Sequence, residues 1–363
     1  MDTFGEKRRA ALEAHFTTDP DSISKPIITS LNGENSWLYS IPIPCDEKAR
    51  GARHYFHIAV DPWLVGDLTM ISGWFMTIPQ PCQPAARDGA AVEAMAREID
   101  ALAASAAGDA DTPDDGQERS PLGAIALTLE LSDHANEPTL RTFDPSIPVV
   151  ACDANTHALV KGWGHFNTIV TTPEVNSPDG LDGGGGGWPR LETSPPGALP
   201  SWLSVVRLAG AWICSGSMVA WRTSAAQGDA PRRDSILNFP HGFGPREPAA
   251  EALARAASGP GGSGGVSVAA MLHPLKENYQ LWMQHTEGVE AGLALERALR
   301  PRVWVRAHDG ALHYSGLFPR ATMLRDRVRS LESGLEAEAA REGRPGRRPN
   351  FADVGNGEAL VVT

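Results

Sequence analysis

The sequence predicts an α/β protein built in layers. Short apolar runs of strand length recur from Ile28 to Arg306, separated by turn residues and by alanine-rich stretches of helical period. Between Ile147 and Thr171 a strand, a short helix and a second strand follow at the spacing of layered α/β units. A further observation bears on function. Apolar runs end, one after another, in histidine or aspartate, and in layered α/β proteins chemistry gathers where strands hand over to loops.

The elements follow in order. Residues 1–24 read as a polar leader with one short helix. Ile28 to Ser30 and Trp37 to Ile41 read as strands of a hairpin around Asn32-Gly33-Glu34-Asn35, because Asn-Gly is a strong hairpin signal. His54 to Val60 is a third strand and ends at Asp61. Gly66 to Pro84 reads as a long loop whose aromatic residues either reach a pocket mouth or serve structural packing. Ala90 to Ala106 is helical, with Val92, Met95, Ile99 and Leu102 near a 3.6-residue period. The central strand, Ala124 to Leu131, stops at Ser132-Asp133-His134. In an extended chain Asp133 and His134 would point to opposite sides; a turn brings both to one site. Pro138 to Phe143 reads as a short helix with Glu137 at its entrance, where it either caps the helix or faces the pocket.

Trp202 to Ala209, Met218 to Trp221 and Ser235 to Phe239 fit an antiparallel meander, the last strand followed closely by His241. Glu247 to Ala257 is a helix, and Val266 to Leu272 a strand ending at His273. Glu287 to Leu299 is a helix, Arg302 to Arg306 a strand ending at His308-Asp309, and Phe318 to Leu335 a terminal helical region. One domain over 25–338 is expected, with insertions at 108–120 and 177–200 and a flexible tail over 339–363. The glycine run Gly183 to Gly187 lacks the lysine and hydroxyl residue of a phosphate loop, so it reads as an insertion or lid.

Composition limits the function classes. With 42% hydrophobic residues the chain can bury a sizeable core, and its net charge of -12 argues against a general nucleic-acid surface. The four cysteines, Cys45, Cys82, Cys152 and Cys214, form no CxxC pair, which disfavours a cysteine zinc knuckle. The N-terminal residues carry charge without an apolar stretch, and no run has the length of a membrane span. A soluble cytoplasmic protein with free thiols is expected, a homodimer being compatible, with no nucleic-acid or membrane partner.

The candidate catalytic residues are Asp133, His134, His241, His308 and Asp309. Candidate pocket residues are Asp61, Trp63, Trp74, Glu137 and Cys214, the tryptophan-rich segments suggesting an apolar or aromatic small-molecule substrate. Histidine beside carboxylate suits either metal ligation or proton transfer. A hydrogen-bonded core network is the alternative without chemistry.

The stretches SLNGENSWLYSIP, IAVDPW, SDHANEPTL, IPVVA, FPHG and the late AHD resemble the metallo-β-lactamase superfamily, and most closely a branch of uncharacterised fungal proteins. The resemblance covers about residues 27–325. It implies a four-layer αββα sandwich of two packed sheets with helices outside. The family's motif after the central strand is His-x-His-x-Asp-His; here it reads Leu129-Glu130-Leu131-Ser132-Asp133-His134, with leucine at both leading histidines. The resemblance therefore implies loss of the first metal site. A second site, with Asp133, His134 and His308 on a single zinc ion, can survive; His241 is a possible fourth ligand, acid or oxyanion donor. No metal at all is the other reading. The expected function is an enzyme acting on a small organic molecule, either by hydrolysis or by metal-independent acid–base chemistry. A non-catalytic binding or scaffold protein is the alternative.

Overall fold

A computed structural model describes residues 3–19, 23–48, 53–109, 119–175, 198–223, 232–258, 266–310 and 312–363. Two seven-stranded sheets make its centre. The first runs in the order β19 (Ala359–Val361), β1 (Ile27–Ser30), β2 (Trp37–Pro42), β3 (Tyr55–Val60), β6 (Leu122–Leu127), β7 (Val149–Ala151) and β8 (Ile169–Thr171). The second runs β18 (Phe351–Ala352), β16 (Val303–Arg306), β13 (Val266–His273), β12 (Arg233–Asn238), β11 (Gly216–Arg222), β10 (Leu203–Leu208) and β9 (Glu174–Val175).

Strand sequence explains the layering. Both faces of each central strand are apolar, so each sheet must be covered on both sides. On β2, Trp37, Tyr39 and Ile41 face the core between the sheets, while Leu38 faces outwards. On β12, Ile236 faces inwards and Leu237 outwards. The outer face of the first sheet packs on Leu12 and Phe16 of α1 (Thr3–Thr18), on Val92, Met95 and Ile99 of α2 (Gly89–Ala107), and on Val160 of α4 (Ala154–Gly162). The outer face of the second packs on Leu253 of α5 (Pro248–Ser258), Val289 and Leu293 of α6 (Val289–Leu299) and Leu331 of α8 (Leu331–Glu342). The result is helix, sheet, sheet, helix. No described helix is long and apolar enough to cross a membrane.

Each sheet contains a parallel run of four strands, β3-β6-β7-β8 in the first and β12-β13-β16-β18 in the second, and β9 also lies parallel to β10. Parallel strands put their carboxyl ends on one side, which is where ligands bind in such sheets. Asp61, the 128–136 loop, His241, Lys276 and His308 all follow those ends.

Several local expectations need correction. The central strand stops at Leu127, because the Thr128 N–H donates to the Asp61 carboxylate at 2.7 Å instead of to a neighbouring strand. The helix after it is α3 (Glu137–Leu140), and Asn136, not Glu137, caps it through the Thr139 N–H at 3.0 Å. The 66–84 stretch contains a hairpin, β4 (Leu68–Met70) and β5 (Met76–Ile78). The expected terminal helix is interrupted. Met323 takes a left-handed φ of 51° and ends α7 (Leu317–Thr322); β17 (Arg325–Arg327) then joins β14 (Glu277–Gln280) and β15 (Met283–Gln284) in a small sheet. The tail expected to be flexible is built into both sheets, β18 beside β16 and β19 beside β1. The leader is likewise packed, with Leu12 and Phe16 buried. Gly183 to Gly187 and most of the two expected insertions lie outside the described residues.

Candidate metal centre

Four side chains meet at the carboxyl edge of the parallel strands. Donor atoms of Asp133, His134, His241 and His308 all lie within 4.8 Å of one another. The Nε2 atoms of His134 and His241 are 3.2 Å apart. Asp133 Oδ2 lies 3.6 Å from Nε2 of His134 and 3.6 Å from Nε2 of His308.

Each position has a local cause. The turn after β6 is closed by the His134 and Ala135 N–H groups, which donate to the Leu131 carbonyl at 2.9 and 2.7 Å. That turn lets the adjacent Asp133 and His134 reach one point. His241 follows β12 and precedes Gly242, whose φ is 76°; a Cβ there would stand 1.9 Å from the Glu287 carbonyl oxygen, so only glycine lets the chain turn. Asp61 and His308 carry left-handed φ values of 46° and 56°, a strain that clusters at functional sites.

Buried carboxylates aim two of the imidazoles. His134 Nδ1–H donates to Asp61 Oδ2 at 2.9 Å, and His308 Nδ1–H donates to Glu34 Oε2 at 2.6 Å. Both Nε2 atoms are thereby turned towards the cluster, the arrangement by which outer partners fix metal-binding tautomers. Asp61 is itself held by the Thr128 N–H and hydroxyl. Glu34 accepts from the Gly310 N–H at 3.0 Å and lies 3.7 Å from Lys276 Nζ. Burial alone would raise the Glu34 pKa; His308 and Lys276 outweigh it and hold the carboxyl at about 2. Burial likewise opposes charge on His134, but Asp133 and then Asp61 raise it to about 9. His241, buried beside His308 and His134, is pushed well below the usual histidine range.

The donor set fits a metal ion. Arms of 2.0–2.1 Å to a tetrahedral zinc imply donor–donor edges of about 3.3 Å; three of the six edges here, at 3.2, 3.6 and 3.6 Å, come close to that, and the others lie within 4.8 Å. The cluster opens onto a cavity of about 790 Å³ whose walls include Leu68, Met70, Ile78, Leu131 and Leu324.

The remaining sequence candidates lie elsewhere. Asp309 does not face the cluster: its carboxylate accepts from the Leu275 and Lys276 N–H groups at 2.8–3.0 Å and shapes the turn after β13. Asp61 is buried behind His134 and is not among the residues that line the cavity beside the cluster. Trp63 is buried in the loop after β3, its indole N–H donating to the Gly66 carbonyl at 2.9 Å. Trp74 stands 68% exposed at the hairpin turn, packed edge-on against Phe75 rather than on the cavity. Glu137 pairs with Arg141 at 2.7 Å on α3. Cys214 is buried, its thiol donating to the carbonyls of His241 and His285, and burial pushes its pKa up to about 11, so it is no activated nucleophile. His273 ends its strand inside the core, accepting from the Phe243 N–H at 3.1 Å.

Sequence reasoning missed Glu34, Lys276, Tyr314 and Asp326. Glu34 had a signal: an acidic residue in an otherwise ordinary Asn-Gly turn. Asn32 Oδ1 accepts from the N–H groups of Glu34 and Ser36, at 2.9 and 3.1 Å, and this Asx turn fixes the Glu34 backbone.

No protein-family model and no curated protein matches this chain. Solved structures do. A possible metal-dependent hydrolase from Veillonella parvula superposes with a TM-score of 0.51 at 9% identity, over 93% of this chain and 99% of that one. This is the metallo-β-lactamase fold. An isothiocyanate hydrolase from Delia radicum gut bacteria aligns with a TM-score of 0.49 and 12% identity, over 93% and 99% of the two chains. A long-form RNase Z from yeast gives 0.43 and 11%, covering 95% of this chain but 42% of that one. On the metallo-β-lactamase fold the leucines of the altered motif acquire a location. Leu129 is buried, and Leu131 stands in the cavity wall beside the four-residue cluster.

Proposed function

We propose that the protein is a single-metal hydrolase acting on a small organic molecule, with one divalent ion, zinc being the best match, held by Asp133, His134, His241 and His308. One observation carries this reading. Imidazole nitrogens and a carboxylate oxygen converge at metal-ligand spacing while buried carboxylates grip the far nitrogens of His134 and His308. The ion would supply Lewis acidity, activating water and polarising the scissile bond.

The chain's own groups do the rest. Asp61 and Glu34 set tautomer and ring orientation. Asp133, partly exposed to the cavity, is the residue of the four with most freedom, and its release would leave a bound ion the open position that water needs. Leu131, at a leading motif position, offers no donor for a second ion, and the fold's usual two-ion chemistry reduces here to one. The apolar walls hold the body of the substrate and exclude water from it.

A second reading rests on the contact between His134 and His241 at 3.2 Å. With His134 charged and His241 neutral, the pair can pass a proton without any metal. Metal content of protein purified without chelator, together with esterase rates before and after metal removal, separates the two. About one ion per chain and activity that follows the ion support the first reading. An ion-free protein that remains active after exposure to zinc, manganese and iron would overturn it in favour of the second.

A further inference from the structure

The cavity beside the cluster also constrains what is hydrolysed. Among the described residues lining it, Lys276 is the one cation, against the carboxylates of Glu130, Asp133 and Asp326. Lys276 is committed: its Nζ donates to the Gly310 carbonyl at 3.0 Å and lies 3.6 and 3.7 Å from Asp326 and Glu34. The neutral donors on that wall are committed as well. Asn278 Nδ2 and the Tyr314 hydroxyl both donate to Asp326 Oδ1, at 2.8 and 3.0 Å. Away from the ion of the proposed centre, an anionic group on the substrate would therefore meet carboxylates and no uncommitted cation among the described lining residues. Apart from Thr69, Ser132, Asn155 and Thr286, the rest of the wall is apolar and continues to the mouth, where Met70 and Ile71 are 41% and 82% exposed. Ile71 keeps a left-handed φ of 62° there, unusual for a β-branched residue. Leu131 extends the apolar wall to Asp133, into the place where the fold's motif would put a polar ligand.

We infer that the cavity selects uncharged carboxylic esters, lactones included, that carry an extended apolar acyl chain or ring, and disfavours phosphodiesters and anionic esters. This rests on the hydrolase reading above. Water adds to the carbonyl carbon and the bond to the alkoxy oxygen breaks. That oxygen leaves with the electron pair and takes up a proton delivered by the water, giving an acid and an alcohol. An ester makes the smaller demand on the site, because an alkoxide leaves more readily than an amide anion and needs less help from a positioned acid.

The test compares kcat/KM for p-nitrophenyl octanoate, acetate and hemisuccinate and for bis(p-nitrophenyl) phosphate on the metal-loaded protein. Neutral N-phenyl-1-naphthylamine serves in parallel as a fluorescent binding probe. Octanoate is expected to exceed acetate by about 100-fold, since each methylene in an apolar pocket counts. The hemisuccinate should fall below acetate, with no turnover of the phosphodiester. Met70→Glu at the exposed mouth and Leu131→Gln inside should each cut the octanoate-to-acetate ratio and probe affinity by about tenfold. Preference for the hemisuccinate or the phosphodiester, or a ratio unmoved by both variants, overturns the inference and leaves the hydrolase reading standing. Probe binding that both variants weaken, in an ion-loaded protein that turns over none of the four compounds, refutes the hydrolase reading and with it the ester assignment, leaving only an apolar binding cavity.

Discussion

Glu34→Gln probes the metal centre and the fold together. Glu34 is wholly buried, accepts the His308 Nδ1–H at 2.6 Å and balances Lys276 at 3.7 Å. A carboxyl held at about 2 instead of its ordinary 4.5 contributes about 3 kcal/mol to folding at neutral pH. The folded value lies below the unfolded one. The contribution is therefore complete above about pH 4.5 and fades as pH falls towards 2. The amide keeps the shape and one acceptor but loses the charge. The variant should unfold about 3 kcal/mol more easily at pH 7, with the gap to wild type closing as pH falls through that window. Its grip on the His308 ring also weakens. Loss of such an outer partner costs roughly 10–100-fold in metal affinity, about 1.4–2.7 kcal/mol. Urea melts at pH 7 and pH 3, with zinc competition against a chromophoric chelator, read both effects. A variant with wild-type affinity and an unchanged urea midpoint would refute the role assigned to Glu34.

Asp61→Asn isolates tautomer control at His134. Asparagine tolerates the left-handed backbone at this position, so the change falls on hydrogen bonding. An amide N–H facing Nδ1 would move the ring proton to Nε2, and zinc affinity should drop roughly 10–100-fold by the same competition assay; equal affinity would exclude the assignment. Asp153→Ala tests the scaffold beside the cavity. Asp153 caps α4 through the Thr156 N–H at 2.8 Å and pairs with Arg207. Burial would raise the Asp153 pKa, but the Thr156 hydrogen bonds and Arg207 outweigh it and lower it. The loss should be about 1–2 kcal/mol at pH 7. It should shrink as pH falls below the ordinary aspartate range, and a difference that instead grows in acid would contradict the pairing.

Two-sided apolar strands and recurring helical periods carried the layered α/β class, and the motif resemblance carried the sandwich of two sheets. The strand and helix patterns are local signals: a buried strand must be apolar on both faces whatever it packs against. That Leu129 and Leu131 bind no metal was plain from the sequence, because no fold can make leucine a ligand. Tertiary structure decided the rest. Asp309 and His308 are neighbours in the chain, yet one shapes the turn after β13 and the other faces the cluster, since backbone direction at a left-handed residue cannot be read from side-chain type. Glu34 and His308 are 274 residues apart and meet only when the first hairpin closes against the end of β16. Trp63 and Trp74 share a composition signal but went to opposite fates, buried and exposed. Charge, hydrogen-bond partner and burial at a site are sums over distant chain segments, and the order of residues alone leaves those sums open.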